Sequence, residues 1–198
     1  MKKWIVAAMM AGVGIAQTPA ATYEIDASHS DIGFGVRHMV ISTVRGSFGD
    51  FAGSFEYNPE DLASFSASAS IKVASIDTKN AKRDDHLRNA DFFDAPQHPE
   101  ITFATTRVEP SAEGLVLYGD LTMKGVTKEI ALPITLHGPI TDPWGNVRAG
   151  FEGSVVINRQ DWGISWSKAM DQGGLVVDDK VTITVSVEGI EKKEAAAE

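Results

Sequence analysis

Histidine, serine and aspartate stand consecutively at His29-Ser30-Asp31, and a denser group follows at Arg83-Asp84-Asp85-His86, with Asp91 and His98 behind it. These residue types can serve as nucleophile, general base or metal ligand. Their spacing argues against each role. Ser30 stands in no Gly-x-Ser-x-Gly elbow, and that motif is absent from the chain. No two histidines stand four apart, the spacing that puts two imidazoles on one helix face to hold a metal. The absence of cysteine removes thiol catalysis, disulfides, cysteine-ligated metals and a lipid-modified N-terminal cysteine together. Asp84 and Asp85 fall at the start of a helical stretch, where carboxylates offset the helix dipole. The sequence therefore predicts no catalytic residue, no metal and no cofactor, with His29 bonding a neighbouring strand. Arg83 has two open readings. Its forked donors suit a phosphate or carboxylate head group, or an aspartate that pins the helix in place.

The elements that must position these groups are nearly all strands. Ser30–His38 alternates strictly, with Ile32, Phe34 and Val36 on one face. Val44–Tyr57 alternates too, but Phe51 and Phe55 are out of phase with Val44 and Phe48, which predicts a β-bulge beside Gly49-Asp50. Phe65–Ile76 places Phe65, Ala67, Ala69, Ile71 and Val73 on its apolar face. Two successive inward alanines predict a lumen with room in it. Five further strands, Ile101–Val108, Leu115–Met123, Val126–His137, Val147–Asn158 and Lys180–Ile190, are separated by Gly114, Lys124-Gly125, Asp142–Asn146 and Asp178-Asp179. Pro133 must lie at a bulge, an edge or a point where the ladder opens. Only Lys82–Phe103 breaks the pattern. Asn80 can cap a short helix there, and Pro96 and Pro99 end it. The expected architecture is an all-β, closed or nearly closed antiparallel barrel of about eight strands with a short helical insertion; a two-sheet sandwich is the alternative.

Met1–Ala20 reads as a secretory leader, with Lys2-Lys3 ahead of an apolar run and small residues before the cut. The domain proper is then 21–190, and 191–198 is a polar tail. The formal net charge is −9, and losing two leader lysines makes it more negative still. That balance disfavours nucleic acid and anionic membranes as partners. Neither a stable membrane anchor nor a disulfide staple is expected, and a homodimer is allowed.

Many short motifs resemble the YceI-like polyisoprenoid-binding family of bacterial periplasmic proteins, in order over Thr22–Ile190. They include Tyr23-Glu24-Ile25-Asp26 with His29-Ser30, Arg37-His38, Ile76-Asp77-Thr78, Arg83-Asp84-Asp85-His86-Leu87 and Asp91-Phe92-Phe93-Asp94. Gly119-Asp120-Leu121-Thr122, Arg148-Ala149-Gly150-Phe151 and Arg159-Gln160-Asp161-Trp162-Gly163 continue the series; the family more often has Phe where Trp162 stands. The resemblance implies an elongated, eight-stranded, lipocalin-like barrel in the periplasm, whose lumen holds a long-chain isoprenoid or other amphiphilic lipid. The resemblance assigns no ligand contact residue by residue; the strand faces themselves place Ile32, Phe34, Val36, Phe55, Ala67, Ala69, Ile71 and Phe103 in the lumen. Arg83, Phe92, Phe93, Trp162 and Trp166 border the mouth, with a hydrophobic plug as the alternative reading of the two tryptophans. The alternative is a structural or stress-response protein with a packed lumen that acts through partner contacts.

Overall fold

The computed structural model describes residues 19–169 and 175–193. The expected leader lies outside them but for its last two residues, and so does the end of the tail. The alternating segments become β1 (Ala21–Ile25), β2 (Asp31–His38), β3 (Ser42–Phe48), β4 (Phe51–Tyr57), β5 (Ser66–Lys72) and β6 (Ile76–Asp77). A single helix follows, α1 (Ala81–Arg88), then β7 (Glu100–Ser111), β8 (Gly114–Met123), β9 (Val126–Thr141), β10 (Val147–Asn158) and β11 (Val177–Glu191).

Three pairs of segments run end to end. β1 and β2 both lie antiparallel along β11, β1 against Gly189–Glu191 and β2 against Val177–Ser186. β4 and β3 run beside them, and β5 and β6 beside those. Each pair makes one stave, so β1–β4–β5–β7–β8–β9–β10–β11 closes on itself as an eight-stranded antiparallel barrel. The phase change at Gly49-Asp50 is a break between β3 and β4 rather than a bulge in one strand. The Gly49 amide donates to the Ser75 carbonyl (3.3 Å) and the Asp50 carbonyl accepts from the Lys72 amide (2.8 Å), so the gap leaves these groups bonded.

Beyond the breaks the wall forks. β6 pairs with β3 alone. On the far side β10 pairs with β9 only from Ile134 to Thr141. Pro133, which has no N–H to give, is the first residue past that ladder, so the strand tolerates it because the ladder opens there. The helical insertion lies between β6 and β7, and the 3-10 turn Arg159–Trp162 follows β10.

The interior divides accordingly. At the closed end Tyr23, Phe55, Phe65 and Phe151 interlock, with ring centroids 5.1 Å apart for Tyr23–Phe55, 5.3 Å for Phe55–Phe151 and 5.6 Å for Phe65–Phe151. Leu115, Leu117, Leu132 and Ile134 belong to the same cluster. At the forked end a second cluster holds Phe48, Ile71, Ile101, Leu121, Met123 and Ile157. Ile25, Phe103 and Val155 pack against both and form the boundary between them.

Candidate ligand-binding cavity

The forked half is hollow. A cavity of about 540 Å³ opens there, within the roughly 300–1,000 Å³ common for small-molecule sites. Period-two alternation builds most of its wall. Ile32, Phe34 and Val36 come from β2, Val44 and Phe48 from β3, Ile71 from β5, and Val181 and Ile183 from β11. The remaining apolar wall includes Leu121, Met123 and Ile157.

Polar groups collect where α1 meets the ends of β2 and β11. Asn80, Lys82, Arg83 and His86 border the cavity from the insertion, Arg37 and His38 from β2, and Arg159 from the turn after β10. Among the described residues, none that lines the cavity is Asp or Glu, although the chain carries a net −9. Polarity at this end is therefore cationic or neutral.

Hydrogen bonds fix these groups. Asn80 caps α1 by accepting from the Arg83 amide at 3.2 Å. Arg83 donates from Nε to the Thr78 hydroxyl and from Nη2 to the Thr78 carbonyl, both at 2.7 Å. Its anchor is thus a threonine and not the aspartate considered from sequence. Asp84 is buried and accepts from the Thr78 amide (2.9 Å) and hydroxyl (2.5 Å). It ties the β6–α1 turn together, a more specific task than offsetting the helix dipole. Across the cavity Arg159, only 4% exposed, donates to the carbonyls of Ile164 (2.6 Å) and Asp178 (2.9 Å) and to the Asp179 carboxylate (3.0 Å). Burial lowers its pKa, and the two aspartates oppose that shift.

Aromatic groups sort by element. Phe92 and Phe93 lie in a turn rather than a strand, so adjacent residues both reach the cavity. Phe92 packs with His86 (5.0 Å) and Trp166 (5.3 Å), and Phe93 meets Phe48 edge-on at 6.1 Å. Trp162 and Trp166 separate. Trp166 borders the cavity, whereas Trp162 is buried and donates its indole N–H to the Leu121 carbonyl at 3.0 Å. It helps cover the opening that β10 leaves when it parts from β9.

Of the residues named from sequence, Ile32, Phe34, Val36, Ile71, Arg83, Phe92, Phe93 and Trp166 border the cavity. Phe55 and Ala67 belong to the packed end. Ala69 sits in the ladder opposite Gly53 and Phe103. Phe103 lies in the boundary layer, and Trp162 is a plug. Sequence reasoning missed Lys82, Leu87, Arg159 and Ile164, whose segments carry no alternation. Nor did it place Val181 and Ile183, on the expected last strand, in the site.

The serine–histidine–aspartate group lies elsewhere. The Asp26 carboxylate accepts from the Ser28 hydroxyl (2.6 Å), is bonded to His29 Nδ1 (2.8 Å) and accepts from Arg148 (3.0 Å). These bonds, Ser28 first, hold its pKa well below the usual carboxylate range. Arg148 also reaches Asp142 (2.8 Å) and Glu188 (2.5 Å). The Ser30 hydroxyl donates to the Asp26 carbonyl (2.8 Å) and accepts the Glu188 amide (3.0 Å). The cluster braces the run from β1 to β2 against β10 and β11. Asp26, His29 and Glu188 could converge on a cation, but the Arg148 guanidinium already bonds both carboxylates. His86 pairs with Asp91 at 2.9 Å. His98 lies instead against Gly125, where an added Cβ would be 2.7 Å from its ring.

A family model described as a YceI-like domain matches residues 23–189. A UPF0312 protein of Photorhabdus laumondii is 39% identical, over 88% of each chain. Among solved structures, BcnA of Burkholderia cenocepacia superposes with a TM-score of 0.73 at 24% identity, over 83% of this chain and 98% of its own. A domain from Saccharophagus degradans described as polyisoprenoid binding gives a TM-score of 0.62 at 14% identity, over 87% of this chain and 99% of its own. Both share the fold.

Proposed function

Because the chain belongs to the YceI-like domain family, we propose that it is an exported, periplasmic carrier that holds a polyisoprenoid or similar long-chain lipid in the forked half of its barrel. The apolar cavity of about 540 Å³ carries the proposal. Its wall offers an acyl or prenyl tail only hydrocarbon, and its polar end offers donors and positive charge to a head group. At about 0.8 kcal/mol per buried CH₂, ten enclosed carbons contribute roughly 8 kcal/mol. Part of that is lost in immobilising the chain, so micromolar affinity is within reach. The polyisoprenoid-binding description of the Saccharophagus degradans neighbour supports the choice of cargo. Binding of this kind needs no reacting group, and no residue here is assigned a catalytic role.

The test is solvent extraction of protein taken from its native periplasm, followed by mass spectrometry. A long-chain lipid near one per protein is expected. Protein that yields no lipid and takes up no labelled prenyl chain would remove the proposal.

A further inference from the structure

The turn joining β2 to β3 runs His38-Met39-Val40-Ile41, closed by the Ile41 amide bonding the His38 carbonyl at 3.0 Å. Met39 and Val40 both have positive φ, 51° and 60°. Three residues span the turn, since His38 pairs with Ser42; two successive positive φ values favour Asn-Gly, because side chains crowd the backbone there, and a β-branched residue at positive φ is an outlier. Val40 and Ile41 gain little burial in return. Met39 is 38% exposed, Val40 69% and Ile41 81%. Three consecutive apolar residues are thus held outward on a strained turn. Bonds keep it in place: Arg37 donates to the Val40 carbonyl at 2.6 Å and the Met39 amide to Val176 at 3.0 Å. Strain that the surroundings maintain points to a use.

The location suggests which. His38 and Val176, at the foot of this turn, border the cavity, and so do the cations Arg37 and Lys82. From Val36 to Gly46 the chain contains Arg37 and Arg45 and no acid. Of the nearby described carboxylates, Asp179 is bonded to Arg159 and Asp85 to Arg88, and Asp178, beside Val177, accepts the Lys180 amide. The average charge of the chain disfavours an anionic surface, but this end departs from the average. We propose that Met39-Val40-Ile41 is a bilayer-docking tip, which inserts its apolar side chains among the lipids while the neighbouring cations meet anionic head groups. An apolar hairpin flanked by basic residues suits an interface of that chemistry. Docking there would bring the cavity mouth to the membrane, where a lipid could enter or leave without crossing bulk water. The proposal concerns the surface and stands apart from the identity of the cargo.

The experiment uses the mature chain, cargo-free vesicles of phosphatidylcholine with or without phosphatidylglycerol, and the triple variant M39N/V40G/I41T. Asn-Gly suits the turn, so the variant should melt at the same temperature or higher while its sedimentation with mixed vesicles falls at least tenfold. Lys82→Gln should reduce the preference for phosphatidylglycerol. Uptake of a labelled prenyl chain, assayed separately in solution, should persist in the triple variant, which separates this outcome from any failure of the carrier proposal. A parent protein that ignores both vesicles, or a triple variant that binds them equally well, would overturn the docking tip. So would a variant that changes only from dimer to monomer, since a second copy would then be what covers it.

Discussion

Phe103 lies so closely over Gly119 that a Cβ on the glycine would stand 2.4 Å from the aromatic ring. Only the absence of a side chain lets that ring sit against the β8 backbone, where it joins the two interior clusters. Gly119→Ala should therefore push the ring away and cost about 1–3 kcal/mol, the usual range for overfilling a core. Denaturant unfolding of the variant checks this; unchanged stability would show that the layer is soft.

Equal additions of bulk should act oppositely in the two halves. Ala67→Leu enters the ring-packed end and should destabilise by about 1–3 kcal/mol without changing lipid uptake. Val181→Phe enters the cavity, so stability should hold or rise while affinity for a prenyl chain falls about tenfold, or roughly 1.4 kcal/mol. Thermal melting and a lipid titration on both variants give the four readings.

The strand faces, the insertion and its cap were legible because alternation and turn chemistry are local. Depth along the barrel was not. Ile32 and Phe55 both face inward, and nothing in period two says that one meets space and the other a packed ring. Ala67 misled for the same reason: it is small because Phe55 and Phe65 need the volume, not because the lumen is empty. The position of Asp84 in the first turn suggests a dipole partner, and its bonds to the Thr78 amide and hydroxyl depend on a fold of the β6–α1 turn that no local pattern encodes.

Acid should loosen the braced end first. Asp142 and Asp26 are held well below the usual carboxylate range, Asp142 chiefly by Arg148 and Asp26 chiefly by Ser28. A depressed folded-state pKa contributes stability that is complete above the unfolded value of about 3.9 and disappears as pH falls through the folded value. Melting temperature should thus be level near neutrality and decline below about pH 4. Asp142→Asn should start lower and decline less. A parallel decline in the variant would show that another group controls acid stability.

Chelation should change nothing. Arg148 places a fixed positive charge beside Asp26 and Glu188, where a cation would otherwise lie. Dialysis against EDTA is expected to leave melting temperature and lipid uptake unaltered. Stoichiometric metal in native protein, found by elemental analysis, would contradict this.

Export should remove Met1–Ala20. Intact mass of protein recovered from the periplasm is expected to match a chain starting near Ala21. Full-length protein retained in the cytoplasm would refute both the leader and the proposed compartment.

The fork also bears on how such a barrel can change over generations. The ring-packed end and its Arg148 brace hold the strands in register without touching the cavity, whereas residues 78–99 supply much of its polar border and lie between β6 and β7. Substitutions in that insertion alter what the cavity accepts while leaving the register alone. The closed end is thus a handle and the insertion a separable fitting: on the carrier proposal, changes of cargo would require changes in the fitting alone.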